Sequence, residues 1–401
     1  MLQAMPGRDC PQTFEQAKAP AGGRAPQTVS FSAKVFIPVT RLCRNRCAYC
    51  DYSVEPSEGN LFISPDEALA IARAGERAGC SEALFVAGDK PERRYPTVRA
   101  WLRSRGYDST VHYTRDLCRL VLNETRLYPH TNVGALAYDE LLELREVNAS
   151  LGLMLESAAR SLEQRGGSHW RCPDKRVPRR LEAMEAAGKA RVLFTTGLLL
   201  GIGESREERQ ESLIEIKRLH ERYGHIQEVI IQNVRPRPVE GADRSHGRRS
   251  SVGSAPAGTP ASAGPTLTDV LETVRMAKRL LGPRMNIQVP PNLALRLTAR
   301  LELFLKAGAN DWGGVSPLTV DHVNPDSPWP NLDWLRTESE AAGYRLRQRF
   351  PAYPEFVRAG SPLLAVAVKQ KLAKDADPEG YVRDAKYSSR LEPAGGLLGR
   401  R

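Results

Sequence analysis

Three cysteines crowd into eight positions of this 401-residue chain, in the run Cys43-Arg44-Asn45-Arg46-Cys47-Ala48-Tyr49-Cys50. Thiolates at this C-x3-C-x2-C spacing are ligands for soft metals, and a disulfide framework fits poorly with an odd total of seven cysteines in a chain this long. A four-iron cubane held by three cysteines keeps one iron open, and an amine and a carboxylate on one small molecule can chelate it. A structural zinc centre is the competing chemistry. It needs four closed ligands, and the fourth would have to come from Cys80, Cys118, Cys172 or a histidine, none of them close in sequence.

The elements that must position these thiols read as alternating strands and helices. Short β-branched or apolar runs at 34–40, 82–86, 131–133, 151–155, 192–200, 228–232, 285–289 and 311–315 are separated by amphipathic segments at 138–147, 178–187, 207–223, 268–281 and 293–307. Ser64-Pro65-Asp66-Glu67 opens a further helix with a cap hydroxyl, a proline and the glutamate of a capping box. Eight such strands predict a (β/α) TIM-type barrel, complete or partial, spanning 31–340. The cysteines then follow the first strand, on the rim where barrel active sites collect. Residues 1–30 read as a disordered arm, 235–266 as a flexible Pro/Gly/Ser/Arg-rich insertion, and 341–401 as an extension ending in a tail.

Bulk properties narrow the classes. The formal charge of +11 invites a nucleic-acid reading. The basic residues, however, alternate with glutamates, as in Glu207-Glu208-Arg209, and no basic stripe carries interleaved aromatics. No apolar run reaches the roughly 20 residues of a membrane helix. The expectation is a cytoplasmic protein with neither a leader nor an anchor, and without a nucleic-acid or membrane partner.

The motif C-x3-C-x-aromatic-C resembles the signature of the radical S-adenosylmethionine (SAM) superfamily, which implies a 4Fe-4S cluster on Cys43, Cys47 and Cys50 with SAM on the open iron. Supporting segments fall in the superfamily's order. Gly88-Asp89 after the second strand resembles the element that holds the SAM ammonium, and Glu156 ends the fourth strand where SAM is contacted. Gly197-Leu-Leu-Leu-Gly201-Ile-Gly-Glu204 is similar to the glycine-rich element beside the adenine. Tyr49, and Lys175 nineteen residues past Glu156, complete the implied SAM contacts.

Within the superfamily the chain resembles the CofG-type subunit (subunit 1) of 7,8-didemethyl-8-hydroxy-5-deazariboflavin (FO) synthase. The resemblance runs from about 31 to 357 and is carried by Ile287-Gln-Val-Pro-Pro-Asn-Leu293, by Gly308-Ala-Asn-Asp-Trp-Gly-Gly-Val-Ser-Pro317 and by Pro173-Asp174-Lys175. It implies a radical synthase acting on the adduct of tyrosine and 5-amino-6-(ribitylamino)uracil, releasing ammonia and forming the deazaflavin of coenzyme F-420. A CofH-type second subunit and a reducing electron donor are the implied partners. Gln288, Asn292, Asn310 and Ser316 are the expected substrate contacts, with Asp311 and His322 as proton-transfer candidates. Radical SAM enzymes resembling biotin synthase, hydrogenase-maturation or menaquinone-pathway members share every core motif and are the nearest alternatives; a zinc-stabilised nucleic-acid module is the more distant one. Two features depart from the subfamily: the long 235–266 stretch, and Cys172 before Pro173.

Overall fold

The computed structural model describes residues 27–57, 59, 61–234 and 264–383. Most of the expected arm (1–26), most of the expected insertion (235–263) and the tail (384–401) lie outside the described residues.

Nine parallel strands alternate with helices. They are β1 (Gln27–Thr40), β2 (Glu82–Ala87), β3 (Tyr128–Asn132), β4 (Ser150–Gly152), β5 (Phe194–Leu200), β6 (Ile226–Asn233), β7 (Asn286–Gln288), β8 (Asp311–Val315) and β9 (Tyr344–Gln348). The order β2-β3-β4-β5-β6-β7-β8-β1 closes through a β1–β2 pairing, giving an eight-stranded parallel barrel. Its helices are α1 (Pro65–Arg77), α2 (Pro96–Arg103), α3 (Thr110–Glu124), α4 (Tyr138–Arg145), α5 (Val177–Lys189), α6 (Arg206–Tyr223), α7 (Leu267–Leu281), α8 (Pro291–Ala294), α9 (Glu302–Ala307), α10 (Leu332–Ala341), α11 (Pro354–Arg358) and α12 (Val366–Asp375). None of the helices among the described residues is long and apolar enough to cross a membrane.

Local chemistry sets several boundaries. Ser64 and Glu67 form the expected capping box on α1, and Ser205 with Glu208 repeats it on α6. All seven residues of β5 are buried, the continuous run required of a parallel strand covered on both sides.

The structure shifts several expected boundaries. β1 starts at Gln27 rather than 34, because its first half leaves the barrel and pairs with β9, from Gln27↔Tyr344 to Phe31↔Gln348. The strand expected at 131–133 begins at Tyr128, and α2 and α3 fill a connection read without helices. The helix expected at 293–307 is split into α8 and α9. The C-terminal extension closes the barrel floor: Phe350, Ala352, Leu364, Val368 and Leu372 pack with Tyr128, Ala149 and Leu193.

A TIM-type barrel normally fills its interior with branched side chains. Here small inward residues, among them Gly152, Thr195 and Gly314, leave a cavity of about 340 Å³ that runs from the cysteine loop into the barrel.

Candidate active site

The loop after β1 is bolted in place from two sides. Asp174, fully buried, pairs with the Arg44 guanidinium through both carboxylate oxygens, and its backbone N–H donates to Asn45 Oδ1 at 3.2 Å. On the other side, Cys43 Sγ accepts from the backbone N–H groups of Asn45 (3.4 Å) and Asp89 (3.2 Å). Gly88 makes that approach feasible, since a Cβ there would lie 2.0 Å from the Leu42 carbonyl oxygen. A turn closed by Cys50 N–H to the Cys47 carbonyl at 3.2 Å brings the second and third thiols round. Cys43, Cys47 and Cys50 all line the cavity, half-buried. Burial pushes the Cys43 thiol up to about 12 and raises Cys50, while Cys47 is raised first by its contact with Cys172 and then by burial, so a bound cation has to displace their protons.

Cys172 is also here. Although far from the triad in sequence, its thiol is brought close enough to Cys47 for the two to influence each other's charge, and it donates to the Trp170 carbonyl at 3.5 Å. A bend at Arg171, whose φ is +62°, turns the chain back toward the cysteine loop. Cys80 and Cys118 are buried among the hydrophobic core residues, and Cys118 Sγ lies 3.3 Å from Thr131 Oγ1.

Beside the thiols a charged collar has formed. Glu156 follows β4 at φ +67°, a left-handed conformation unusual for a glutamate and held by its surroundings. Its carboxylate takes the Lys175 ammonium and the Tyr49 hydroxyl, lies 3.1 Å from His169 Nε2, and has the Arg180 guanidinium at 3.7 Å. Burial opposes this charge, but Lys175 and His169, followed by Arg180, hold its pKa well below the usual carboxylate range. Asp89 lies across from it. Its Oδ2 accepts from Ala135 N–H at 3.3 Å and Asn45 Nδ2 at 3.5 Å, whereas its buried Oδ1 has no partner. Burial, reinforced by Asp174, raises Asp89 to about 6.

These atoms fit the groups that the motif implies. Three thiols open to the cavity suit three irons of a cubane. An unspent Asp89 oxygen suits an ammonium, and Lys175 with Arg180, whose Nε is also buried without a partner, suits a carboxylate. The collar thus presents opposite charges as an amino-acid zwitterion requires.

The other expected residues divide. Gln288 and Asn292 line the cavity. Asn292 Nδ2 donates to Asp321 Oδ2 at 3.0 Å, and its Oδ1 is buried without a partner. Asn310 instead sits below the barrel, bonding Ile287 N–H at 2.8 Å and Asn286 Oδ1 at 2.7 Å. Ser316 shapes the turn after β8 through Thr319, 2.6 Å away. Asp311 is fully buried outside the cavity lining, paired with Arg349 at 2.7 and 3.0 Å and accepting from Ser30 at 2.5 Å. His322 lies edge-on to Phe36, 6.3 Å between ring centroids, and burial lowers its pKa. Glu204 accepts from the backbone of Gly201 (2.9 and 3.1 Å) and Ile202 (2.9 Å), closing the loop after β5 rather than facing the cavity. Gly197 lets β5 run against β6, where a Cβ would come within 2.2 Å of the Ile230 carbonyl oxygen.

Sequence reasoning missed Arg180 and a polar floor of Lys34, Glu82, His130, Glu228 and Arg349. The signal was there in part: inward positions alternate, and Lys34-x-Phe36, Glu82-x-Leu84-x-Val86, His130-x-Asn132 and Glu228-x-Ile230-x-Gln232 follow that period. Arg349 had none, because it enters from the extension.

Residues 37–231 match the model of the Radical SAM superfamily. A 7,8-didemethyl-8-hydroxy-5-deazariboflavin synthase of Methanopyrus kandleri is 46% identical over 357 residues, which are 88% of this chain and all of that protein. The FO synthases of Streptomyces coelicolor and Mycobacterium tuberculosis H37Rv are each 44% identical, over 91% and 89% of this chain, and the chain spans about 40% of their length. Among solved structures, the FeFe-hydrogenase maturase HydG aligns with a TM-score of 0.61 at 16% identity, over 87% of this chain and 70% of that one. Methylornithine synthase (PylB) aligns with a TM-score of 0.50 at 18% identity over 72% of each; both likenesses concern the fold alone. With its cysteine loop, barrel and full-length match to the Methanopyrus protein, the chain belongs to the 7,8-didemethyl-8-hydroxy-5-deazariboflavin synthase family within the radical SAM superfamily.

Proposed function

We propose that this chain is the radical SAM subunit that converts the adduct of tyrosine and 5-amino-6-(ribitylamino)uracil into 7,8-didemethyl-8-hydroxy-5-deazariboflavin with loss of ammonia. The observation that carries this reading is the 46% identity spanning the whole Methanopyrus synthase. Bound on Cys43, Cys47 and Cys50, a 4Fe-4S cluster supplies the electron for reductive cleavage of SAM, the source of the radical chemistry. Asp89 takes the SAM ammonium and Lys175 with Arg180 its carboxylate, while Glu156 holds the two cations apart and Tyr49 against them. Below that collar, Leu84, Val86, Leu153 and Ile230 wall the cavity with hydrocarbon and keep bulk water from the reacting carbon. A second, CofH-type radical SAM subunit supplies the adduct, in keeping with FO synthases more than twice the matched length.

The test is anaerobic reconstitution with iron and sulfide, followed by SAM, a reductant, the second subunit, tyrosine and the uracil. Fluorescent deazaflavin together with 5'-deoxyadenosine is expected. 5'-Deoxyadenosine without the fluorophore would mean a radical SAM enzyme of different specificity, and the absence of both would remove the radical mechanism.

A further inference from the structure

The polar floor is built with unused hydrogen-bonding capacity. Lys34 on β1 and Glu82 on β2 are register partners, and His130 projects from β3 beside them. Gly314 makes room for Lys34, since a Cβ there would fall 1.9 Å from its Nζ; Gly152 leaves His130 Nε2 open, a Cβ there standing 3.0 Å away. Among the described residues no acceptor takes a hydrogen bond from Lys34 Nζ, which stands 4.7 Å from the Phe36 ring centroid and whose charge helps to hold the Glu82 carboxylate ionised.

The tautomer of His130 follows from its neighbours. Its Nδ1 is 2.6 Å from Ser150 Oγ, and Ser150 Oγ is 3.1 Å from the Pro351 carbonyl oxygen. Two oxygens at that distance repel unless a proton lies between them, so the Ser150 hydroxyl donates to Pro351 and must accept from His130 Nδ1–H. Burial holds the imidazole neutral, with its pKa near 4. Nε2 therefore carries a lone pair, and it faces the cavity.

We infer that His130 Nε2 and Lys34 Nζ form a specificity pair for the N–H and C=O groups of a pyrimidinedione edge, the acceptor taking the ring N–H and the ammonium donating to the carbonyl. This rests on the functional reading above and adds to it the residues that recognise the uracil half of the adduct. Ser150 is a positioning residue that sets the His130 tautomer.

The experiment uses the product deazaflavin, which keeps the pyrimidinedione edge and is fluorescent, titrated into the reconstituted enzyme, with its N3-methyl derivative as a second probe. His130→Leu is expected to weaken binding about 10-fold and Lys34→Met between about 10- and 100-fold, whereas His130→Gln, which offers an oxygen near the Nε2 position, stays within about 3-fold of wild type. N3-methylation should weaken the wild type about 10-fold and leave His130→Leu unchanged. Circular dichroism reports whether each variant folds, and Lys34→Met with the methylated probe decides the matter should His130→Leu fail to fold. Unaltered affinity in the folded variants, or no measurable wild-type binding by an enzyme that makes the fluorophore, overturns the pair and leaves the functional reading standing. A wild type that makes no fluorophore overturns the reading itself.

Discussion

Replacing Asp311 by asparagine separates a structural from a chemical role for a residue whose sequence context suggested proton transfer. Its carboxylate is fully buried and meets Arg349 Nε at 2.7 Å and Nη2 at 3.0 Å, with the Ser30 hydroxyl on the same Oδ2 and Gly313 N–H on Oδ1 at 2.6 Å. Arg349 is itself 3% exposed, and its other carboxylate, Glu228 Oε2, stands 3.3 Å away and is shared with the Tyr353 hydroxyl. Asparagine keeps the shape but removes the charge, leaving Glu228 as the one carboxylate paired with a guanidinium that is largely withdrawn from water. Breaking a buried pair in this way costs ~3–5 kcal/mol. For a chain of this size each kcal/mol moves the melting temperature by roughly 2 °C, so thermal unfolding of the cluster-free protein should fall by roughly 6–10 °C. Turnover per folded, iron-loaded enzyme should change far less than it would on loss of a proton-transfer group, a 10²–10⁴-fold effect. An unchanged melting temperature with turnover down by that factor would refute the structural assignment and return Asp311 to the chemistry.

Cys172→Ala should retain iron and SAM cleavage, whereas alanine at Cys43, Cys47 or Cys50 should abolish both; iron analysis and 5'-deoxyadenosine release check this, and metal loss in Cys172→Ala would indicate a four-thiol centre instead. Asp89→Asn should stabilise the cluster-free protein at pH 7 while weakening SAM binding at least tenfold. Because burial raises Asp89 in the folded state, its cost of order 2–3 kcal/mol is fully present above about pH 6 and vanishes below the unfolded value of 3.8, so wild-type and variant unfolding curves should converge as pH falls through that window. Glu156→Gln leaves Lys175 and Arg180 facing each other without their strongest counter-ion and should destabilise by roughly 3–5 kcal/mol, read by urea unfolding. That stabilisation belongs to a depressed carboxylate, so it is present above the unfolded pKa of about 4.5 and is lost only as pH drops below it.

Sequence alone established what depends on neighbours along the chain. The capping box at Ser64 marks a helix start because the bonded groups are three residues apart. Long apolar runs such as β5 declare themselves by periodicity and length, and the three cysteines lie close enough in sequence to name their own chemistry. Short strands were harder: β4 and β7 have three residues each, and β3 begins at Tyr128 with little alternation to betray it. Tertiary structure decided everything that rests on distant pairing. It brings Cys172 to Cys47, sets Arg180 beside Glu156 and takes Asp311 and Asn310 to the barrel floor, because a strand's two ends are a barrel length apart although only a few residues separate them. It also lets Arg349 enter the interior from a segment that sequence left as an extension, and points His130 inward with a free lone pair through contacts to Ser150 and, beyond it, Pro351. Burial and partner together set the charge and tautomer of such groups, and neither can be read before the chain has closed on itself.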